Sequence, residues 1–307
     1  MNFLVVGAGA MGCLFSARLK GAGYEVALLE KVPERARRIN EQGIRVEGIS
    51  GEYTAHVQAF IEVPSFSPDV VLICVKSTDT RKAAEGVRAC VGPESRILTL
   101  QNGLGNVEIL EEIFGKDRVL GGVTAEGATV LAPGHIRHAG RGETLIGPRS
   151  GEGNPVEEIV SAFNRAGFKS RSIENVQDLI WGKLIINVGI NALTALTGLK
   201  NGRLVKFEGT LAIMEKAVEE ADAVARAKGI HLPYPDPLAR VKEVCEATAE
   251  NVASMLQDIL NKKTTEIDFI NGAIVREGEA LGIPTPVNFT LTALVRTIQK
   301  SYDERIF

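Results

Sequence analysis

Apolar residues in the first 170 positions come in short continuous runs, each closed by a polar or glycine-rich turn and followed by an amphipathic stretch. The runs are Phe3 to Val6, Glu25 to Leu29, Asp69 to Val75, Arg96 to Leu100 and Val119 to Ala125. Unbroken runs of this length suit strands of a parallel sheet covered on both faces. Helical spacing between them predicts helices over 10–20, 33–42, 79–91, 106–114 and 155–166, with Pro33 at a helix start that proline favours. Two alternating stretches, 44–47 and 53–59, are split by Gly51 and predict a small antiparallel excursion. A glycine-rich meander holds His135 to His138 and Glu143 to Gly147. Strand–helix alternation of this kind predicts a doubly wound, mostly parallel α/β sheet.

The pattern changes after Ser172. Only helical periodicity follows, over 175–196, 210–228, 238–262, 265–281 and 286–301, with stops at Gly229 and Gly282 and a proline-rich break from Pro233 to Pro237. Two domains are expected: an α/β domain over 1–172 and an all-α domain over 173–307.

The turn after the first run carries Gly7-Ala8-Gly9-Ala10-Met11-Gly12. Between a strand and a helix, Gly7 can make a tight turn, Gly9 can let a pyrophosphate approach the backbone, and Gly12 can let helix pack on strand. The free N–H groups and positive end of the helix suit phosphate. Glu30 closes the second run, eighteen residues after Gly12, where an acid commonly meets a ribose. The motif therefore predicts a Rossmann-type dinucleotide site. Ligands of such sheets bind at the carboxyl ends of the strands, which is where Lys76 and Asn102 fall.

In the apolar helix from Asn175, Lys183, Asn187 and Asn191 recur at i, i+4 and i+8 and so share one face. Polar groups buried without partners are costly. The stripe residues therefore face water or each other, or they grip an anionic, hydroxyl-bearing substrate with the lysine as acid. Asn201 follows in a loop. Asn251 and Ser254 stand at i, i+3 on the predicted helix 238–262, where Ser254 can equally be an ordinary interior serine. Glu266 falls in the first turn of the helix 265–281, where a helix dipole favours a carboxylate and Thr265 with Asp268 can form a capping box.

Composition narrows the picture. The 307 residues are 45% hydrophobic, enough for two cores, and the net charge of −3 is well mixed, leaving no basic footprint for nucleic acid. No eighteen-residue apolar run suggests a membrane span, and the short first run, cut by the glycine loop, lacks a signal-peptide layout. The four cysteines stand far apart without metal spacing, which fits a reduced, cytoplasmic protein with Cys74 as a buried thiol. His135 and His138 are expected at the surface or on a cofactor rim. No metal site is expected. The helical half has apolar faces enough for a homodimer.

Beyond these local readings, the sequence resembles the ketopantoate reductase family over nearly its whole length. The resemblance rests on the glycine loop, Val75-Lys76, Gln101-Asn102-Gly103, Trp181-Gly-Lys183-Leu-Ile-Ile-Asn187-Val-Gly-Ile-Asn191, Asn201-Gly-Arg-Leu, Glu250-Asn251-Val-Ala-Ser254 and Thr265-Glu266-Ile-Asp268-Phe-Ile-Asn271-Gly272. It implies a two-domain enzyme with its site in the cleft, reducing 2-dehydropantoate, a small 2-oxo acid, to (R)-pantoate with NADPH on the way to pantothenate and coenzyme A. Carried onto this chain, it implies Lys183 as catalytic acid and Glu266 as its partner. It implies Gly7 to Gly12, Lys31, Lys76, Asn102 and Glu266 at the cofactor. Asn102, Lys183, Asn187, Asn191, Asn201, Asn251 and Ser254 would hold substrate.

One position departs from the family. Lys31 stands where an arginine usually meets the 2′-phosphate of NADPH, and Glu30 beside it is the kind of residue that binds the ribose of NADH. NADPH is the expected cofactor, with NADH open through Glu30. A paralogue reducing another branched 2-oxo acid is the alternative, and a dinucleotide sensor without turnover is a third reading.

Overall fold

The computed structural model describes residues 1–149 and 156–305. It divides into two units, one of Met1–Gln101 with Asn106–Val176 and one of Asn102–Gly105 with Gln177–Phe307.

The first unit runs β1 (Asn2–Val6), α1 (Ala10–Gly21), β2 (Glu25–Leu29), α2 (Pro33–Gln42), β3 (Ile44–Gly48), β4 (Tyr53–Ala55), β5 (Gln58–Phe60), β6 (Val70–Ile73), α3 (Thr80–Val87), β7 (Arg96–Thr99) and α4 (Asn106–Phe114). It continues through β8 (Val119–Thr124), β9 (Gly127–Ala132), β10 (His135–Gly140), β11 (Glu143–Gly147), α5 (Glu157–Arg165) and β12 (Lys169–Ser172). Eight strands form the main sheet in the order β12-β11-β8-β7-β6-β1-β2-β5. From β5 to β8 every pairing is parallel, β11 joins β8 antiparallel, and β12 joins β11 parallel. Strand order reverses between β1 and β6, and that crevice is where an open α/β sheet takes its ligand.

Register sets the site's edge. Val6 lies opposite both Leu29 and Ile73, so Gly7, Glu30 and Cys74 leave the sheet at one level. Phe3, Leu4 and Val5, and Val71, Leu72 and Ile73, are wholly buried, as the unbroken apolar runs require. Fully burying each aliphatic side chain contributes about 1.5–3 kcal/mol.

A second sheet, in the order β4-β3-β10-β9, collects the antiparallel excursion and the meander. It packs against α1. The stretch 53–59 divides: β4 pairs with β3, whereas β5 extends the main sheet beside β2. β12 (Lys-Ser-Arg-Ser) was not expected, because its polar sequence hides a strand that only pairing with β11 defines. The predicted helix at 155–166 appears as α5; Pro155 lies outside the described residues.

His138 corrects its expected surface placement. Its side chain is fully buried, with Nε2 2.6 Å from the Glu126 carboxylate, while partly buried His135 meets Glu47 at 2.9 Å. A carboxylate from a neighbouring turn makes burial of the imidazole tolerable. All four cysteines are free; Cys74 is only partly buried, its thiol still pushed upward by desolvation.

The second unit is all-helical: α6 (Gln177–Thr197), α7 (Glu208–Ala227), α8 (Pro237–Ala247), α9 (Ser254–Leu260), α10 (Asn271–Leu281) and α11 (Pro286–Lys300). α6 is the axis, packed by α7, α8, α9 and α11. Its mean hydropathy of 1.5 over an 18-residue window is high enough to cross a membrane, contrary to the run-based expectation, but 67% of that window is buried as core. Gly182 and Gly189 let neighbours close onto it: a β-carbon would come within 2.8 Å of the Pro233 ring and 2.7 Å of Val241.

Two predicted helices are broken. The span 238–262 becomes α8 and α9 with a loop between, because backbone groups there bond elsewhere. Asn201 N–H donates to Asn251 O at 3.1 Å, and Gly202 N–H donates to Ala249 O at 3.2 Å. The span 265–281 becomes a 3₁₀ turn, Ile267–Phe269, followed by α10, with the break at Ile270 (φ −111°, ψ −96°).

Candidate active site

Each glycine of the first loop has a distinct reason to be glycine. Gly7 has φ +104°, the left-handed region, and a β-carbon there would press on Val75. At Gly12 a β-carbon would overlap the Gly7 carbonyl oxygen, so helix and turn touch only because it is absent. Gly9 has no neighbour within 4 Å of a β-carbon position. Open space at the start of α1, beside N–H groups that no helical carbonyl can reach, is what a pyrophosphate needs. The residues present therefore fit a dinucleotide, with Gly7, Ala8, Gly9, Ala10, Met11 and Gly12 as the candidate cradle.

Beside this loop, Glu30 is not a solvated strand end. Its residue exposure is 3%. One carboxylate oxygen accepts from Ala8 N–H at 3.0 Å and from Arg35 Nη1 at 2.9 Å, and the other accepts from Val32 N–H at 2.8 Å. Lys31 is outside this arrangement, its exposed ammonium paired with Asp79 at 2.9 Å. Lys76 follows β6 and begins a 3₁₀ turn over Ser77–Asp79.

That turn is held by polar side chains to which the sequence assigned no role, Gln101 standing in a motif without one. Gln101 Nε2 donates to Val75 O and to Thr80 Oγ1, each at 2.8 Å. Thr80 Oγ1 donates to Asn106 Oδ1 at 2.8 Å, and Asn106 Nδ2 donates to Ser77 Oγ at 3.1 Å. The network ties the ends of β6 and β7 to the starts of α3 and α4. The sequence signal was a run of small polar residues at strand ends, which is too common to single out.

In the second unit the stripe on α6 is largely covered. Asn191 is 5% exposed, and Lys183 and Asn187 are intermediate. Burial pulls the Lys183 ammonium down from 10.5 to about 8, and the Glu266 carboxylate opposes that shift. Asn187 Nδ2 and Asn201 Oδ1 are buried without a hydrogen-bond partner. Leaving such an atom unmade costs about 1–3 kcal/mol, so each is an unfilled demand for a ligand or water. Asn201 is otherwise fixed, its Nδ2 donating to Thr248 Oγ1 at 2.9 Å.

Glu266, 8% exposed, caps the 3₁₀ turn rather than the first turn of α10, so no long-helix dipole acts on it. The capping box is absent as well: Thr265 N–H donates to Gln299 at 2.7 Å, and Asp268 pairs with Arg296 at 2.6 Å. The same turn anchors Asn102. Leu104 N–H donates to Phe269 O at 2.9 Å, and a β-carbon on Gly103 (φ +86°) would overlap that carbonyl. The segment Asn102–Gly105 thereby belongs to the helical unit and follows the strand it leaves only in sequence.

Asn251 and Ser254 do not share a helix face. Asn251 is exposed in the interhelical loop, and Ser254, also exposed, is the first residue of α9. The loop still carries Asn251 to Asn201 through the backbone bond described above.

Lys183, Asn187, Asn191, Asn201, Glu266 and Asn102 thus all belong to one unit, with Lys183 and Glu266 electrostatically coupled. Among the described residues, no three His, Cys, Asp or Glu side chains group closely enough to hold a metal.

Comparison with known proteins follows the same two-part division. The profile described as "Ketopantoate reductase PanE/ApbA" matches residues 3–151, and that of the family's C-terminal part matches 175–299. The 2-dehydropantoate 2-reductase of Halobacterium salinarum is 38% identical over 98% of this chain and 99% of its own. That of Pyrococcus abyssi is 36% identical over 96% and 97%. Among solved structures, a PanE/ApbA family ketopantoate reductase from Ralstonia eutropha superposes with a TM-score of 0.90 at 39% identity, covering 98% of this chain and 99% of that one. D-mandelate dehydrogenase, in a ternary structure with NADH and anilino(oxo)acetate, reaches 0.92 at 26% identity, covering 99% of each chain. A Rossmann-type sheet joined to an all-helical unit, matched by both profiles over nearly all of its length, places this chain in the ketopantoate reductase family.

Proposed function

We propose that this protein reduces 2-dehydropantoate to (R)-pantoate with NADPH, the step that feeds pantothenate and coenzyme A synthesis. The observation that carries the reading is Lys183, a desolvated lysine coupled to Glu266 on a stripe whose next amide, Asn187, has a buried atom without a partner.

A nicotinamide cofactor held here would supply hydride to the ketone carbon. The chain's own residues do the rest. The glycine loop and Lys76 hold the dinucleotide, with Lys31 at its ribose end. The Lys183 ammonium stabilises charge that develops on the ketone oxygen and gives that oxygen a proton. Glu266 keeps the ammonium charged and aimed. Asn187, Asn191 and Asn201 hold the hydroxyl and carboxylate of the substrate, because amides can both donate and accept. Asn102, on a loop tied to the Glu266 turn, orients nicotinamide and substrate. Ser254 and Asn251 border the substrate groups. The protein works in the cytoplasm on a free small molecule, and a homodimer is compatible with its apolar helical faces.

Nicotinamide absorbance tests this directly. Purified protein with 2-dehydropantoate should consume NADPH faster than NADH, and failure to consume either would reject the assigned substrate. The likeness to D-mandelate dehydrogenase favours one second reading, an NADH-dependent reductase of another 2-oxo acid. A panel of branched and aromatic 2-oxo acids separates the two.

A further inference from the structure

The Glu30 geometry assigns a cofactor role to a residue outside every motif above. We infer that Arg35, held in place by buried Glu30, reads the 2′-phosphate of the cofactor together with Lys31. The inference rests on the NADPH reading and gives it a specificity determinant peculiar to this chain.

Glu30 follows β2, where an acid would reject a 2′-phosphate if its carboxylate faced the ribose. It does not face outward: both oxygens are engaged at 2.8–3.0 Å with Ala8 N–H, Val32 N–H and Arg35 Nη1. The Arg35 guanidinium balances the charge of this carboxylate, and turning it out would strand all three donors. Its bonds join the glycine loop to the start of α2. Glu30 is therefore a positioning residue, linking the pyrophosphate cradle to the ribose end.

Arg35 is the cation so positioned. One of its five N–H donors goes to Glu30, and its side chain is 37% exposed at the edge where β2 delivers the chain toward the dinucleotide. A guanidinium fixed at one corner can offer its other N–H groups to phosphate oxygens as a fork. Lys31 adds a mobile charge, because its pair with Asp79 is solvent-exposed, weak, and yields readily to a dianion. The two cations differ in kind: Arg35 is pre-set by a buried partner, Lys31 is swung in from solvent.

The test uses ligand fragments, so it does not depend on turnover. Calorimetry of the full chain with adenosine 2′,5′-bisphosphate and with adenosine 5′-monophosphate should show tighter binding of the bisphosphate. Arg35→Ala should weaken the bisphosphate roughly tenfold, the loss of one charge-assisted hydrogen bond, and move the monophosphate less than about twofold. Arg35→Lys should recover part of the loss. Glu30→Gln should also lower the ratio of bisphosphate to monophosphate affinity, because Arg35 loses its anchor. Two outcomes overturn the inference: an unchanged ratio in Arg35→Ala, or a ratio that rises in Glu30→Gln, which would mean Glu30 faces and repels the phosphate. Wild-type protein that binds both fragments equally would overturn the NADPH reading itself, and this inference with it.

Discussion

The glycine edge of the α/β unit and the polar stripe of the helical unit solve opposite problems. At the glycine edge the side chains are satisfied: Glu30 has three donors, and Gln101, Thr80, Asn106 and Ser77 bond one another. What is left open there is backbone, at Gly9 and the first turn of α1. On the stripe the backbone is an ordinary helix, and side-chain atoms are left wanting at Asn187 and, in the 3₁₀ turn after α6, at Asn201. A site that holds a diphosphate shared by many enzymes can be built from main chain. A site that must select one small acid is built from side chains, at the expense of folding stability.

The contrast makes predictions that differ in kind as well as size. Lys183→Ala should lower kcat by about 10²–10⁴-fold, the usual contribution of a positioned acid, with little change in cofactor affinity. Steady-state kinetics beside cofactor titration would expose a near-normal kcat, which removes Lys183 from the chemistry. Asn187→Leu should raise KM for the oxo acid roughly tenfold or more, yet leave thermal stability equal or higher, because a buried amide nitrogen without a partner is being removed. A clear drop in melting temperature would show that Asn187 is already satisfied within the fold.

Glu30→Ala should do the reverse of Asn187→Leu. It strands two backbone N–H groups and an arginine, so the α/β unit should lose about 2–4 kcal/mol in denaturant unfolding. No measurable loss would mean those bonds carry no weight. Lys31→Ala breaks only an exposed pair and should leave stability within about 0.5 kcal/mol, its effect confined to binding of the 2′-phosphate.

The two regions also differ in how far the sequence disclosed them. Glycines announce backbone geometry, so the turn at Gly7 and the packing at Gly12 were legible from spacing alone, as were the bounds of β2 and α4. The i, i+4, i+8 stripe was legible because a helix is periodic. Lost were features decided by distant partners. The break before Ser254 depends on carbonyls given to Asn201 and Gly202, and the attachment of Asn102 to the helical unit depends on Phe269 O. β12 depends on β11, and buried His138 on Glu126. Glu30 was visible as an acid at a strand end, but its bond to Arg35, five residues on, was not. The proposed catalytic and substrate-binding residues could be named from family resemblance, while the shared membership of Lys183, Asn187, Asn191, Asn201, Glu266 and Asn102 in one unit is a fact of the fold.

The central claim is that Lys183 acts as the acid with a proton affinity set by burial and by Glu266. Its most direct test is the pH dependence of kcat/KM for ketone reduction, which reports the free enzyme, in the wild type and in Glu266→Gln. Burial lowers the lysine to about 8, and the protonated form is the one that works. The reduction rate should therefore hold below that pH and fall as pH rises through about 8, while the reverse oxidation, which needs the neutral amine, rises over the same range. In Glu266→Gln the carboxylate that favours the charged form is gone, so the inflection should move to lower pH. A rate of reduction that stays flat through about 8 in the wild type, or an inflection that does not move in Glu266→Gln, would contradict the account.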